Sequence, residues 1–222
     1  MKTFRYSIFA LLLLFTGCRD YLTEIEPGTT LLGDFFTSTA AAEQNITGCY
    51  VPLVWEYNNT YLSEWFIGDI VSDDALKGGG STTDMADAYD MENWRTTSQN
   101  TLLLDFYRAQ YQGIARCNLA IKYVSNMEIG TDSIFTPTMK DRLLGEAHFL
   151  RAYYYFRLVR VFAGVPITTD VIDDSDRWGL DRSSVEQVYA LILDDLTKAN
   201  SMLQLRSAMK AEDLGRATKG AA

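Results

Sequence analysis

Three long segments of the chain repeat apolar residues at the spacing of an α-helix. Leu104, Tyr107, Tyr111, Ile114, Asn118 and Ile121 form the first stripe. Leu143, Ala147, Leu150, Tyr154, Leu158 and Val161 form the second, behind Thr136-Pro137, a cap and first-turn pair, and Gly164 and Pro166 stop that helix. Val185, Val188, Ile192, Leu196, Ala199 and Leu203 form the third, where Ser183 and Glu186 fit a capping box. A shorter stripe, Ala42, Ile46, Cys49 and Leu53, follows the capping pair Thr37-Ser38, and Pro52 should kink or end it. Each stripe is a face that has to bury against another helix. The pattern predicts an all-α fold.

Between Glu56 and Asn100 the period is lost. This stretch holds Gly78-Gly79-Gly80, Ser81-Thr82-Thr83 and a dispersed set of acids, yet it keeps Tyr61, Trp65, Phe66, Tyr89 and Trp94. A long excursion that retains aromatics between helices is where binding surfaces are often built. The first two long helices make an α-hairpin. The third opens another, whose return helix is expected near Gly215–Ala222. The third stripe therefore lacks a full partner, and residues 1–222 are expected not to behave as an independent domain. Hairpins stacked in this way resemble tetratricopeptide repeats, although the period of about 34 residues is not clean here. The pattern reads as the N-terminal fragment of a larger α-rich protein.

The first residues say where the protein goes. Lys2 and Arg5 precede an apolar run from Tyr6 to Phe15, too short for the roughly 20 residues that span a bilayer, so it reads as a signal peptide. The run ends in Thr16-Gly17-Cys18, which looks like a bacterial lipobox with Phe15 where Leu or Val is usual. Cys18 is then the acylated new N-terminus, and two or more acyl chains hold a protein on a membrane. The expected organisation is a signal peptide over 1–17, an acylated tether over 18–36 and a helical domain over 37–222.

Charge and cysteines narrow the partners. The net charge of -9 becomes -11 once Lys2 and Arg5 leave, with 18 basic and 29 acidic residues remaining. That argues against nucleic acid and says little about a neutral ligand. Cys49 and Cys117, on separate predicted helices, either pair outside the cytoplasm or stay as buried thiols. With the single His148 they make no metal-ligand spacing, so no metal or other cofactor is expected.

Aromatic rings stack on the apolar faces of sugars, while Asn, Asp and Arg take the hydroxyls. Trp94, with Arg95 and Asn100 nearby, is the leading ligand candidate; its alternative role is to pack the loop onto the helices. Trp65 and Tyr61 follow, flanking Trp65-Phe66-Ile67, which reads as core. Asp73-Asp74 invites a glycosidase reading, but the two carboxyls of a glycosidase stand about 5–9.5 Å apart across the scissile bond, and adjacent side chains commonly diverge. No Ser-His-Asp or Cys-His pattern is identifiable, so the chain reads as a non-enzyme. Asp194-Asp195 reads as a solvated helix face, Tyr154 as core, and Glu146 and Arg151 as organisers of helix contacts.

Four local patterns then coincide in order. They are Cys18-Arg19-Asp20-Tyr21-Leu22 with Pro27 and Phe35-Phe36; Gly145-Glu146-Ala147-His148-Phe149-Leu150-Arg151-Ala152 running on to Gly164-Val165-Pro166; Arg182-Ser183-Ser184-Val185-Glu186-Gln187-Val188-Tyr189 with Asp194-Asp195-Leu196; and Gly215-Arg216-Ala217-Thr218-Lys219-Gly220. Together they resemble the N-terminal part of the SusD/RagB family of outer-membrane nutrient-binding lipoproteins, over essentially the whole mature chain. The resemblance implies a surface-exposed lipoprotein of the outer membrane. Such a protein captures oligosaccharide or another nutrient and delivers it to a SusC-like TonB-dependent transporter, with a sugar site drawn in part from the aromatic loop region. The chain departs from the family at Phe106, where many members carry Trp, and at Pro52. The family's C-terminal half is not part of the chain. The competing class is a helical-repeat surface scaffold that binds only protein or peptide.

Overall fold

The computed structural model describes residues 35–58, 61, 63–172 and 180–222. The signal peptide, Cys18 and the tether as far as residue 34 lie outside the described residues. Phe36, placed at the end of the tether by sequence, instead stacks on Tyr123 with ring centroids 4.7 Å apart.

The described residues form six α-helices: α1 Thr39–Val54, α2 Glu64–Val71, α3 Ala86–Glu92, α4 Thr101–Asn126, α5 Pro137–Phe162 and α6 Val185–Met202. Among the described residues there is no strand, and no helix is long and apolar enough to cross a membrane. α5 is central, packed along α4 on one side and α6 on the other, with α1 lying across α4 and α5. This is the all-α arrangement of packed hairpins expected from the three stripes.

Local chemistry explains each boundary. The Ser38 hydroxyl accepts the Ala41 N–H to start α1, and Thr39 donates from its N–H and its hydroxyl to Asp132 at 2.7 and 2.6 Å. Those bonds tie the α4–α5 loop to the N-terminal end of α1 and hold the Asp132 carboxyl below its usual range. Pro52 sits buried in the last turn of α1, which ends at Val54 in a 3-10 turn, Trp55–Asn58. α5 starts on Thr136 and Pro137 as the sequence indicates. The capping box of α6 is one residue later than expected: Ser184 and Gln187 exchange the reciprocal bonds.

The stripe on α5 is buried as predicted, except that Val161 is half-buried. On α4 the buried arc is displaced from the predicted one. Ile114 and Asn118 of the predicted stripe are buried, but so are Phe106, Ala109, Gln110, Gly113, Cys117 and Ala120, and Leu104 is 42% exposed. α4 is covered from two sides, and four of its buried positions, Ala109, Gly113, Cys117 and Ala120, are small residues that admit large partners. A side chain at Gly113 would lie 2.4 Å from the Tyr154 ring.

The third stripe does find a partner. Val188, Ile192, Ala199 and Leu203 are buried, and α5 is the helix they pack on, helped by Gly145, where a Cβ would come within 2.9 Å of Leu203. The expected return helix is replaced among the described residues by turns over 215–222. Ala217 tucks against Ala199 and Leu203, its N–H donating to the Tyr50 hydroxyl at 2.9 Å.

Asp195, read from sequence as solvated, is fully buried. Its carboxylate accepts Nε and Nη2 of Arg151 at 2.7 and 2.8 Å and Nδ1 of His148 at 2.7 Å. Arg151 continues to Asn118 on α4, which donates to the carbonyls of Thr168 and Asp170 in the α5–α6 connection. Helical period alone could not show that one acid of the pair turns inward to meet Arg151 and His148 on the neighbouring helix. Cys49 and Cys117 are both buried free thiols, and burial raises the Cys117 thiol well above its usual range.

Candidate functional site

The aperiodic stretch is more ordered than its sequence suggests. Two helices of eight and seven residues, α2 and α3, form inside it, too short to display a stripe. They dock through Ile67, Ile70 and Met91 onto Tyr61, Phe106 and Ala109, with Phe66, Leu103 and Phe162 against the same cluster. The glycine run between them is pinned. Lys77 donates from Nζ to the carbonyls of Gly78 and Ser81 and from its N–H to Glu92 at 2.9 Å, and the Gly80 N–H donates to Asp84. Gly79 has φ 83°, and a Cβ there would lie 2.3 Å from the Asp84 carboxylate.

α3 ends in a left-handed closing turn. The Trp94 N–H donates to the Met91 carbonyl at 3.1 Å, and the Arg95 N–H to the Asp90 carbonyl at 2.8 Å. This is the Schellman pattern, whose left-handed position is ordinarily glycine. Here Trp94 occupies it, at φ 57°. A left-handed residue bearing a Cβ costs about 1–2 kcal/mol. The strained residue is also 79% exposed, and its indole N–H donates to the Val71 carbonyl at the end of α2, 2.9 Å away. One edge of the ring is thus tied down while most of its surface meets solvent.

Beside it lies a cavity of about 440 Å³ whose walls include Glu64, Gly68, Val71, Ser72, Met91 and Arg160. That is within the size range of small-ligand pockets, roughly 300–1,000 Å³. Glu64 and Arg160 pair across it, and Arg160 also lies over the Phe156 ring, 5.2 Å from its centroid. A larger hollow, about 680 Å³, lies between α1, the start of α5 and the segment around Asp213. Its arginines are engaged within the chain, Arg142 by Glu43, Glu146 and Asp213 and Arg216 by Glu146 and Asp213. The smaller cavity is the better ligand candidate because the exposed Trp94 ring is bonded to Val71 of its wall, whereas no such ring is tied to the larger hollow.

The five ligand candidates separate clearly. Trp94 and Arg95 stand together on the surface, with Arg95 bonded to Asp90 at 3.0 Å and lying over the Tyr89 ring. Trp65 is 67% exposed on α2, next to Glu64 of the cavity wall. Tyr61, in contrast, is core: its hydroxyl donates to the Pro52 carbonyl and accepts from Arg157, and its ring meets Phe106 edge-on. Burial raises its phenol despite Arg157. Asn100 is buried too, because it caps α4. Its Oδ1 accepts the Leu103 N–H and its Nδ2 donates to the Asp87 carbonyl. Cys18 lies outside the described residues. Sequence reasoning missed Val71, Met91 and the Glu64–Arg160 pair. Arg160 is distant in the chain, and no local pattern points from it to α2.

Residues 21–222 match a SusD-like family described as "Starch-binding associating with outer membrane". The chain belongs to the SusD-like family. SusD-like protein P38 of Formosa agariphila is 28% identical over 214 residues, 93% of this chain and 39% of that protein. A SusD-like protein of Bacteroides ovatus is 26% identical over 227 residues, 100% of this chain and 38% of its own. Among solved structures, a laminarin-binding SusD-like protein aligns with TM-score 0.70 and 25% identity, over 82% of this chain and 37% of that one. Surface glycan-binding protein A from Bacteroides fluxus aligns with TM-score 0.70 and 26% identity, over 83% and 38%. This SusD-like chain therefore spans about two-fifths of the length of the curated relatives it matches.

Proposed function

We propose that the chain is the capturing part of a surface lipoprotein. Acylated Cys18 holds it on the outer membrane, and the surface around Trp94 takes up a nutrient, oligosaccharide foremost, for a SusC-like TonB-dependent transporter. The observation that carries the glycan reading is Trp94 itself. A ring that would be better placed for folding in almost any other conformation is held outward beside a cavity, and backbone strain of this kind concentrates at functional sites. An indole fixed at its N–H edge offers a face for a sugar ring, with Arg95 exposed beside it in the chain. The names of the laminarin-binding and surface glycan-binding relatives support the same ligand class.

Binding without cleavage accords with the family's description. His148 and Asp195 do form a buried pair, but Arg151 occupies the same carboxylate, so the pair serves packing. The test is calorimetric titration of the full-length protein against a glycan panel, with circular dichroism alongside. Loss of one stacking face is worth on the order of 1–3 kcal/mol by analogy with base stacking, so Trp94→Ala should weaken binding roughly 5- to 150-fold with helicity intact. Unchanged affinity removes Trp94 from the site. Reducing sugar released by the pure protein overturns the binding-only reading.

A further inference from the structure

The charge around the cavity selects among glycans, and this inference rests on the Trp94 reading above. Residues 61–100 carry eight acids, Glu64, Asp69, Asp73, Asp74, Asp84, Asp87, Asp90 and Glu92, against two bases, Lys77 and Arg95. Several of these acids border the cavity wall in sequence: Asp69 follows Gly68, Asp73 follows Ser72, and Asp90 and Glu92 flank Met91.

The cations are already engaged. Lys77 is committed to the glycine loop, Arg95 to Asp90 and the Tyr89 ring, and Arg160 to Glu64. Of the acids, Asp87 bonds Thr101, Asp84 bonds Gly80, and Glu92 bonds Lys77. The side chains of Asp69, Asp73 and Asp74 are exposed and make no hydrogen bond or ion pair among the described residues. An anionic ligand would therefore meet unneutralised carboxylates, with no free cation among the described residues of this stretch or of the cavity wall to receive it.

We infer that the site takes neutral oligosaccharides and rejects sulfated or uronic-acid-rich ones. Exposed charges act over about 10 Å at 0.1 M salt, so the rejection should be strongest at low ionic strength. The experiment titrates full-length protein with neutral hexose oligomers and with sulfated and uronic-acid oligomers of matched length, in low and high salt. A neutral oligomer should bind with an affinity almost independent of salt. Its acidic counterparts should bind at least about tenfold more weakly in low salt, a gap of 1.4 kcal/mol that narrows in high salt. The triple variant Asp69→Asn, Asp73→Asn, Asp74→Asn should gain affinity for the acidic oligomers, with neutral binding and melting temperature unchanged. Acidic oligomers that bind as well as neutral ones in low salt, or a triple variant that changes neither, overturn the inference and leave the Trp94 site standing. Absence of binding by every oligomer overturns the site and the inference together.

Discussion

Arg151 on α5 grips Asp195 on α6 through two bonds, Nε to Oδ2 at 2.7 Å and Nη2 to Oδ1 at 2.8 Å, with both side chains buried. The geometry is bidentate, the strongest form of such a pair. Through Asn118 the same guanidinium reaches the connection that carries the chain from α5 to α6. Arg151 thereby joins α4, α5, α6 and the connection around residues 168–170. Glu146, five residues earlier, pairs with Arg142 within α5 and joins the helix to Arg216.

Removing one side of a buried pair strands the other. Asp195→Ala would leave Arg151 and His148 facing a void, at a cost of about 3–5 kcal/mol. At about 2–4 °C per kcal/mol for a chain of this size, the melting temperature should fall by roughly 6–20 °C. A loss below about 1 kcal/mol in urea melts would mean that the pair behaves like an exposed bridge.

The two buried acids of α5 and α6 should respond to pH with opposite signs. Burial raises the Glu146 carboxyl above its ordinary 4.5 even though Arg216 and Arg142 oppose it. Glu146 therefore binds more protons folded than unfolded, and its contribution to stability declines as pH rises from 4.5 through the native value. Burial also acts on Asp195, but the bonds from Arg151 and His148 win and hold it below 3.8. Its contribution is present above 3.8 and is lost as pH falls through the native value. Glu146→Gln removes the first titration, so urea melts from pH 4.5 upward should show stability climbing more steeply, or falling less, than in wild type. A shallower climb or a steeper fall would reverse the assigned sign.

Adjacent residues at the end of α5 should respond oppositely to one-carbon changes. Ala163 has φ 59° and ψ -128°, a region natural only to glycine, so Ala163→Gly should stabilise by about 1 kcal/mol. A Cβ on Gly164 would lie 2.2 Å from the Ser183 carbonyl oxygen. That backbone is held by the Ser183 N–H on the Val165 carbonyl and by Arg182 Nε on the Gly164 carbonyl, so it cannot easily yield. Gly164→Ala should cost about 1–3 kcal/mol or more. Thermal melts of both variants that shift in the same direction would contradict this account.

Much of the scaffold was legible because long helices repeat their burial every three or four residues. The α5 stripe and the Thr136 and Ser38 caps could be read directly. Period could not foretell Asp195, whose burial depends on Arg151 and His148, 44 and 47 positions away in the chain. Nor could it show that Gly113 and its small neighbours, rather than the larger Leu104, face inward. Of the candidate site, the aromatic character of the loop was visible. The separation of Trp94 from Tyr61 and Asn100 was not, because it depends on how α2 and α3 dock onto α4 and α5.

Anchoring can be tested apart from ligand binding. If Cys18 is the acylated residue, labelled fatty acid should enter the wild-type protein, and Cys18→Ala should release the protein from the outer-membrane fraction. A Cys18→Ala protein that fractionates with the membrane as firmly as wild type, together with an unlabelled parent, would refute lipidation at this position.

Trp94 offers a comparison that separates stacking from strain. Both Trp94→Ala and Trp94→Gly remove the ring and its bond to Val71, but only glycine relieves the left-handed backbone. The two variants should therefore lose glycan affinity equally, while Trp94→Gly is more stable than Trp94→Ala by about 1 kcal/mol. Against wild type, Trp94→Gly should be at least as stable, since the lost indole bond is exposed and worth little in water. A ring retained for packing predicts the reverse, with both variants well below wild type. Thermal melts of the three proteins decide between these outcomes. If Trp94→Gly melts several degrees below wild type, the ring holds the loop together, and the strain at this position serves folding rather than a ligand.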